Sequence, residues 1–294
     1  MATKQITTWD EFKTALTETI TENTTYEIMN DIDVSDKIIN STITCRYLSD
    51  SLRKIINGNG HKINGLTTYS SLNFFKTDIK YTFNDIHFEN IMNQNGGFMR
   101  QYGSHSSGDP YCVFNRCFFS GLMQYFATYE TFETGYVCQF NSCSFNLKCE
   151  IFQNAAYLLQ FSNCYIILNP IKQYCTLTSY GGSSGNFNAA NCYIGGMLAY
   201  NNWGGSGYYM IAQRTENYNV FNCTFKIYNY SASSKYRFTD SNVIALANSD
   251  KFVDQNGAAV TPTTSHGNNI YLLTDSQLKS KTYIQQNTNF PLYG

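Results

Sequence analysis

Proline, charge and long apolar runs are all scarce in this chain of 294 residues. Four prolines leave most of the length free of the residue that interrupts a sheet ladder. Charged residues make up only 14%, and 20 basic side chains nearly balance 21 acidic ones, for a net charge of about −1. That balance predicts no electrostatic attraction to nucleic acid or to acidic membranes. No run of eighteen apolar residues occurs, so no helix is expected to be inserted in a bilayer. The opening Met1-Ala2-Thr3-Lys4-Gln5 has one lysine and no apolar core behind it, which does not fit a secretory signal. Synthesis in a cytoplasm, with any exit by another route, is the expectation.

What is abundant is Asn, Thr, Ser, Tyr and a recurring pattern. Apolar residues two apart are followed by a two-residue corner and then by a second apolar pair. The copies are Tyr81, Phe83 with Ile86, Phe88; Cys112, Phe114 with Cys117, Phe119; and Cys138, Phe140 with Cys143, Phe145. Three more follow: Leu159, Phe161 with Cys164, Ile166; Phe187, Ala189 with Cys192, Ile194; and Tyr218, Val220 with Cys223, Phe225. Each corner contains an Asn, a residue that tolerates the left-handed conformation of a sharp bend. Residues two apart share one side of a strand. Counted on Ile86 and the five aligned cysteines, the copies lie 31, 26, 21, 28 and 31 residues apart. A constant inner wall with loops of variable length describes a solenoid. The fold class expected is all-β, a right-handed single-stranded parallel β-helix with one copy per coil.

The domain boundaries expected are an N-terminal cap over 1–35, the β-helix over 36–272 and a C-terminal capping segment over 273–294. Thr8 with Glu11 forms a capping box, and Trp9, Phe12, Leu16 and Ile20 share one helical face. Such a helix covers the open first coil, which would otherwise expose an apolar end and unpaired strand edges. Tyr26-Glu27-Ile28 and Ile32-Asp33-Val34 read as the first strands. Leu272-Leu273 reads as the last strand, with Thr274 or Asp275 capping a short helix and Asn289-Phe290-Pro291-Leu292 as an extended end.

Ten cysteines suggest disulfides only in a small secreted domain. Here five occupy one inward position, so they read as a reduced ladder packed like small apolar groups. Zinc is the alternative, with Cys112/Cys117 and Cys138/Cys143 as paired ligands, but Phe114 and Phe140 claim the same interior. No metal and no other cofactor is expected.

Residues just after the inward position should point outward. They are His87, Phe118, Ser144, Tyr165, Tyr193 and Thr224, so Phe118, Tyr165 and Tyr193 form part of an aromatic stripe suited to a partner. The preferred partner is the same chain about a three-fold axis; loop cover or a foreign protein are the alternatives. Aromatic loops carry Tyr102, then Tyr129 and Tyr136, then Trp203, Tyr208 and Tyr209. Such rings suit sugar stacking or a protein contact, or simply pack on the outer wall. Catalytic carboxylates are harder to find. From Ile86 to Asp240 no acidic residue repeats at the coil period, and Glu130, Glu133 and Glu216 (beside Arg214) are the candidates, with solvated loop charge as the plainer explanation.

Gly58-Asn59-Gly60-His61-Lys62-Ile63-Asn64-Gly65 resembles the Gly-x-Gly-His-x-Ile-x-Gly run of the pectate-lyase-like β-helix superfamily. That resemblance implies fold rather than activity, and His61 reads as a corner residue rather than a catalytic one. The segment Leu273-Thr274-Asp275-Ser276-Gln277-Leu278-Lys279, with Phe290-Pro291 beyond it, resembles a terminal segment of β-helix proteins from gut bacteria and their phages. A capped, signal-free β-helix with aromatic loops is similar to bacteriophage spike and fibre proteins. The resemblance implies a virion subunit, typically a homotrimer, that meets other virion proteins and presents loops to host surface polysaccharide, with the helix of Trp9, Phe12 and Leu16 either a simple cap or an attachment to the virion. Against it, the chain has no long head-binding domain, no heptad stem and no depolymerase acid set. Position as a short fibre, spike or capsid decoration therefore stays open, beside a polysaccharide depolymerase and a bacterial surface adhesin.

Overall fold

The computed structural model describes residues 1–45, 52–77, 81–101, 112–129, 137–149, 151–154, 158–171, 176–178, 185–196, 215–227, 237–238, 242–247, 252–253, 256, 258, 263–264 and 269–287. The chain divides into two compact units, Met1–Cys149 and Glu150–Gly294. Both are built from parallel strands in which consecutive segments belong to different sheets, the signature of a parallel β-helix.

In the first unit one sheet runs Ala2–Ile6, Thr24–Ile28, Lys54–Asn57, Tyr81–Asn84, Cys112–Asn115, Val137–Asn141, every pair parallel. The second runs Ile32–Asp33, Lys62–Asn64, His87–Gln101, Phe118–Tyr129, Ser144–Cys149. His87–Gln101 is not one straight ribbon. Its pairing with Phe118–Tyr129 shifts register between Phe88 and Ile91 and again between Asn93 and Gly97. It pairs in turn with Lys62–Asn64, Thr67–Thr68 and Phe75–Thr77, so the segment bends around the coil. The second unit repeats the scheme with Leu158–Ser162, Gly185–Ala190, Thr215–Phe221, Asn242–Ala247 and Asn269–Leu272 in one sheet. Tyr165–Pro170, Tyr193–Gly196, Thr224–Ile227 and Phe252–Val253 form the other.

The register follows the sequence pattern. Tyr81, Cys112 and Cys138 are opposite one another, as are Phe83, Phe114 and Phe140. Stacked coils lie about 4.8 Å apart, and the inward rings repeat at that interval. Phe83, Phe114 and Phe140 stack with centroids 4.9 and 5.2 Å apart. Phe88, Phe119 and Phe145 do the same at 5.4 and 4.9 Å.

All six corners place their second residue at positive φ: Asp85, Arg116, Ser142, Asn163, Asn191 and Asn222. In the last three the Asn itself takes the left-handed conformation, as its short polar side chain permits. In the first three it does not. There Asn84, Asn115 and Asn141 hold the extended position before the bend and stack as a ladder. Each donates from Nδ2 to Oδ1 of the Asn one coil earlier, Asn141 to Asn115 at 2.8 Å, Asn115 to Asn84 at 2.8 Å and Asn84 to Asn57 at 2.9 Å. Asn57 ends the ladder on Glu27 at 2.8 Å. The left-handed sites fall instead on Asp85 and Arg116, which are joined by a bidentate ion pair, and on Ser142.

The N-terminal helix spans Trp9–Thr17 with the Thr8–Glu11 capping box in place, and it buries Trp9, Phe12, Ala15 and Leu16. Ile20 lies beyond the helix end but is buried as well. One expectation is corrected here: Tyr26-Glu27-Ile28 is not the first strand. Ala2–Ile6 precedes it and pairs with Thr24–Ile28. Its middle three residues are exposed, so it carries no apolar alternation to reveal it.

Inside the coil under this helix stands a fully buried lysine. Lys54 Nζ donates to the carbonyls of Ala15 (2.7 Å), Leu16 (3.3 Å) and Glu18 (2.8 Å), the orphan acceptors at the helix C-terminus. The ammonium also lies 5.9 Å from the Tyr26 ring centroid and 5.6 Å from that of Tyr81. Tyr81 adds its hydroxyl to Leu16 O at 2.6 Å, and Tyr26 donates to Glu18. Burial, and then the Glu18 carboxylate, push the Tyr26 phenol up. Burial opposes ionisation of Glu18, but Lys4 at 2.8 Å and Tyr26 together hold its carboxyl below the ordinary range.

Nine cysteines are described, and all are buried thiols outside any disulfide. Cys117, Cys143, Cys164, Cys192 and Cys223 take the inward position, and burial raises the Cys112 thiol well above its usual value. Hydrogen bonding with Cys164 and Cys223, then burial, raises Cys192. Among the described residues no group of three or more His, Cys, Asp or Glu is placed to hold a metal ion. At the other end Thr274 caps the helix Asp275–Leu278 through a capping box with Gln277, and a helix Lys281–Asn287 follows. Leu273, Leu278 and Ile284 form its buried cluster. Asn289 to Leu292 lie outside the described residues.

Candidate functional site

The outer wall of the first unit's second sheet carries two rows of outward side chains, most of them polar. In a parallel coil, residues that flank an inward apolar residue must face out. Two rows result. Lys62, His87, Phe118 and Ser144 are in register around the inward Ile63, Phe88, Phe119 and Phe145. Two residues further along the strands, Asp33, Asn64 and Glu89 form a second row, each opposite the next.

These side chains hold one another in place. Asn64 Nδ2 donates to Asp33 Oδ1 at 3.0 Å, and Asn90 Nδ2 donates to Asn64 Oδ1 at 2.7 Å. Asn90 can reach back because it sits in the left-handed region at φ 52°. The Ser35 backbone N–H, the Ser35 hydroxyl and Asn64 together hold the Asp33 carboxyl below its ordinary range. Beside the rows, Asp31 Oδ1 meets His61 Nδ1 and accepts from the Lys62 backbone N–H, both at 3.2 Å. The Lys62 backbone first, then His61, lowers the Asp31 carboxyl. His61 thus sits at the corner with its ring on Asp31. His87 Nδ1 is 3.7 Å from Glu89 Oε1, and its ring meets the edge of Phe118 at 5.7 Å between centroids.

Asp33, Asn64 and Glu89 lie at the coil period, although the acids from Ile86 onward show no such repeat among themselves. Corners of unequal length hide the row: between equivalent inward positions, Tyr26 to Ile32 is a step of six residues, Ile56 to Ile63 of seven, where Gly58-Asn59-Gly60 widens the corner, and Phe83 to Phe88 of five. Gly58 is required there, since a Cβ would come within 2.3 Å of Asp85 O.

In the second unit Tyr165, Tyr193 and Thr224 are in register on the outer wall. Tyr165 is 51% exposed, and its ring stacks on Tyr193 at 4.8 Å and 14°. Phe118, Tyr165 and Tyr193 therefore point outward. Trp9, Phe12 and Leu16 are buried in the cap and present no free surface for an attachment. Glu216 lies in the strand Thr215–Phe221, and Tyr129 ends the strand Phe118–Tyr129. Tyr102, Glu130, Glu133, Tyr136, Trp203, Tyr208 and Tyr209 lie outside the described residues.

No helix among the described residues is long and apolar enough to cross a membrane. No curated protein and no solved structure matches the chain. Residues 3–111 match the model of a family described as a pectate lyase-like adhesive domain. That match, together with the parallel solenoid, supports a pectate-lyase-like parallel β-helix fold.

Proposed function

We propose that this chain is an adhesive, surface-binding β-helix protein whose coils form a rigid frame for an outward contact face. The observation that carries the reading is the match of residues 3–111 to an adhesive domain family. The outer wall in that span agrees with it. Its polar side chains are fixed by one another rather than gathered around a reacting centre, and the carboxylates of Asp31 and Asp33 are already engaged by hydrogen-bond donors. A general acid needs a carboxyl raised toward neutral pH, and these two are lowered.

A narrower form of the proposal makes the protein a virion subunit, a short fibre, spike or capsid decoration assembled as a homotrimer through Tyr165 and Tyr193. It is favoured by the capped terminal segment at Thr274–Gln277 and by the exposed tyrosine pair. A subunit of that kind would occur at fixed copy number in purified particles and have three times the chain mass by light scattering. A cellular adhesin would be found on cells that carry no phage.

The general reading is tested by incubating purified protein with cell-surface preparations and with the polysaccharides extracted from them. Saturable retention without release of reducing ends or unsaturated sugars is the expected outcome. Release that is lost in Glu130→Gln or Glu133→Gln would replace adhesion with depolymerase activity.

A further inference from the structure

We propose that the outward face made by Lys62, His87 and Phe118 with Asp33, Asn64 and Glu89 binds an extended, uncharged polysaccharide strand laid along the stacked coils. This rests on the adhesive reading above and gives it a site and a ligand class.

Spacing is the first argument. Both rows step from coil to coil in register, so their side chains recur about every 4.8 Å. That interval is close to the advance of one sugar ring in an extended glycan. A strand lying along the rows would bring successive rings to equivalent groups.

Chemistry is the second. A sugar hydroxyl both donates and accepts, and it is best met by neighbouring donors and acceptors. Asn64 and His87 can do either, Glu89 accepts and Lys62 donates. Phe118 adds an apolar ring against which the C–H face of a sugar can pack, and His87 steadies that ring from the edge.

Charge is the third. Lys62 in one row and Glu89 and Asp33 in the other would each repel one sign of polyelectrolyte, and the net charge of the chain is only about −1. An uncharged polymer meets neither penalty. Order is the fourth: the side chains of Lys62 and His87 are 43% and 41% exposed and that of Glu89 is 28% exposed, so they are accessible while their stems are held by the sheet. A face ordered before binding loses little entropy on contact.

The test uses the full chain on immobilised cello-, chito-, manno- and xylo-oligosaccharides, with polygalacturonate as the anionic comparison, and on intact cell surfaces. The wild type is expected to bind at least one uncharged series in preference to polygalacturonate. The double variant His87→Ala/Glu89→Ala should bind it about tenfold or more weakly, and Lys62→Ala should weaken it in the same direction. Gln286→Ala, exposed on the helix Lys281–Asn287 of the second unit, should leave it unchanged. All three should keep the wild-type melting profile, since the altered side chains lie outside the core. Preference for polygalacturonate, silence on every uncharged series, or full binding by the double variant overturns the proposal. If cells are still retained in any of those cases, the adhesive reading survives and only the site or ligand class fails; if cells are not retained either, both fail.

Discussion

Replacing Lys54 by Met tests how the cap is fastened. The substitution keeps an unbranched chain in the same interior and removes only the ammonium. Three backbone carbonyls then lose a donor, but Leu16 O keeps the Tyr81 hydroxyl at 2.6 Å, which leaves those of Ala15 and Glu18 without it. A buried acceptor stripped of its partner costs about 1–3 kcal/mol, so the two together cost about 2–6 kcal/mol. Relief from holding an ammonium away from water offsets part of that cost, since the three carbonyls and two rings already compensate much of its burial, and the net expected is about 2–3 kcal/mol, confined to the helix Trp9–Thr17 and the coil beneath it. Native-state hydrogen exchange gives the assay, because a solenoid opens locally and a global unfolding curve would blur the effect. Amides in the last turn of the helix should exchange some thirtyfold or more faster, while those of Cys112–Asn115 should not change. Tyr81→Phe should cost about 1 kcal/mol on the same amides. Unchanged or slower exchange in Lys54→Met would show that the buried ammonium does not fasten the helix.

Other outcomes follow from the same structure. Asn115→Ala removes one donor and one acceptor from the Asn ladder and should cost about 2 kcal/mol, read as a lower melting temperature. Ser142→Asn places at φ 55° a residue that accepts the left-handed conformation more readily, and should stabilise by about 0.5–1 kcal/mol in urea titration. Acidification should loosen the N-terminal coils: Asp10, Glu11, Glu18, Asp31 and Asp33 all have lowered carboxyl values. Such groups stabilise above their unfolded values and lose that contribution as pH falls through the folded ones. Melting followed from pH 7 down to pH 3 should therefore show the loss beginning below about pH 4.5. Nine buried cysteines predict that native protein exposes at most one thiol to a thiol reagent and denatured protein ten.

The inner wall was legible in the sequence because it obeys a period. Phe, Cys and Ile recur two apart around an Asn-containing corner, and the structure pairs them in the expected register. What hid the first coils was a departure from that pattern for a local reason. Lys54 stands opposite Tyr81, where later coils have an apolar residue, because the cap helix must be held there. Ala2–Ile6 lacks apolar alternation because Lys4, opposite the inward Tyr26, pairs with Glu18 at the end of the cap helix. The outer rows were hardest to read, since Asp33, Asn64 and Glu89 align only after corners of unequal length are closed. Their pairing depends on hydrogen bonds between coils, which no spacing in the chain records. The corner asparagines were recognised, but in three coils their work is the side-chain ladder rather than the bend.

The most direct measurement is the binding of labelled protein to intact surfaces before and after periodate oxidation of the surface sugars. The account predicts saturable binding that oxidation abolishes, with no sugar released. Binding that survives oxidation would turn the contact face toward protein, and the absence of saturable binding would contradict the adhesive reading itself.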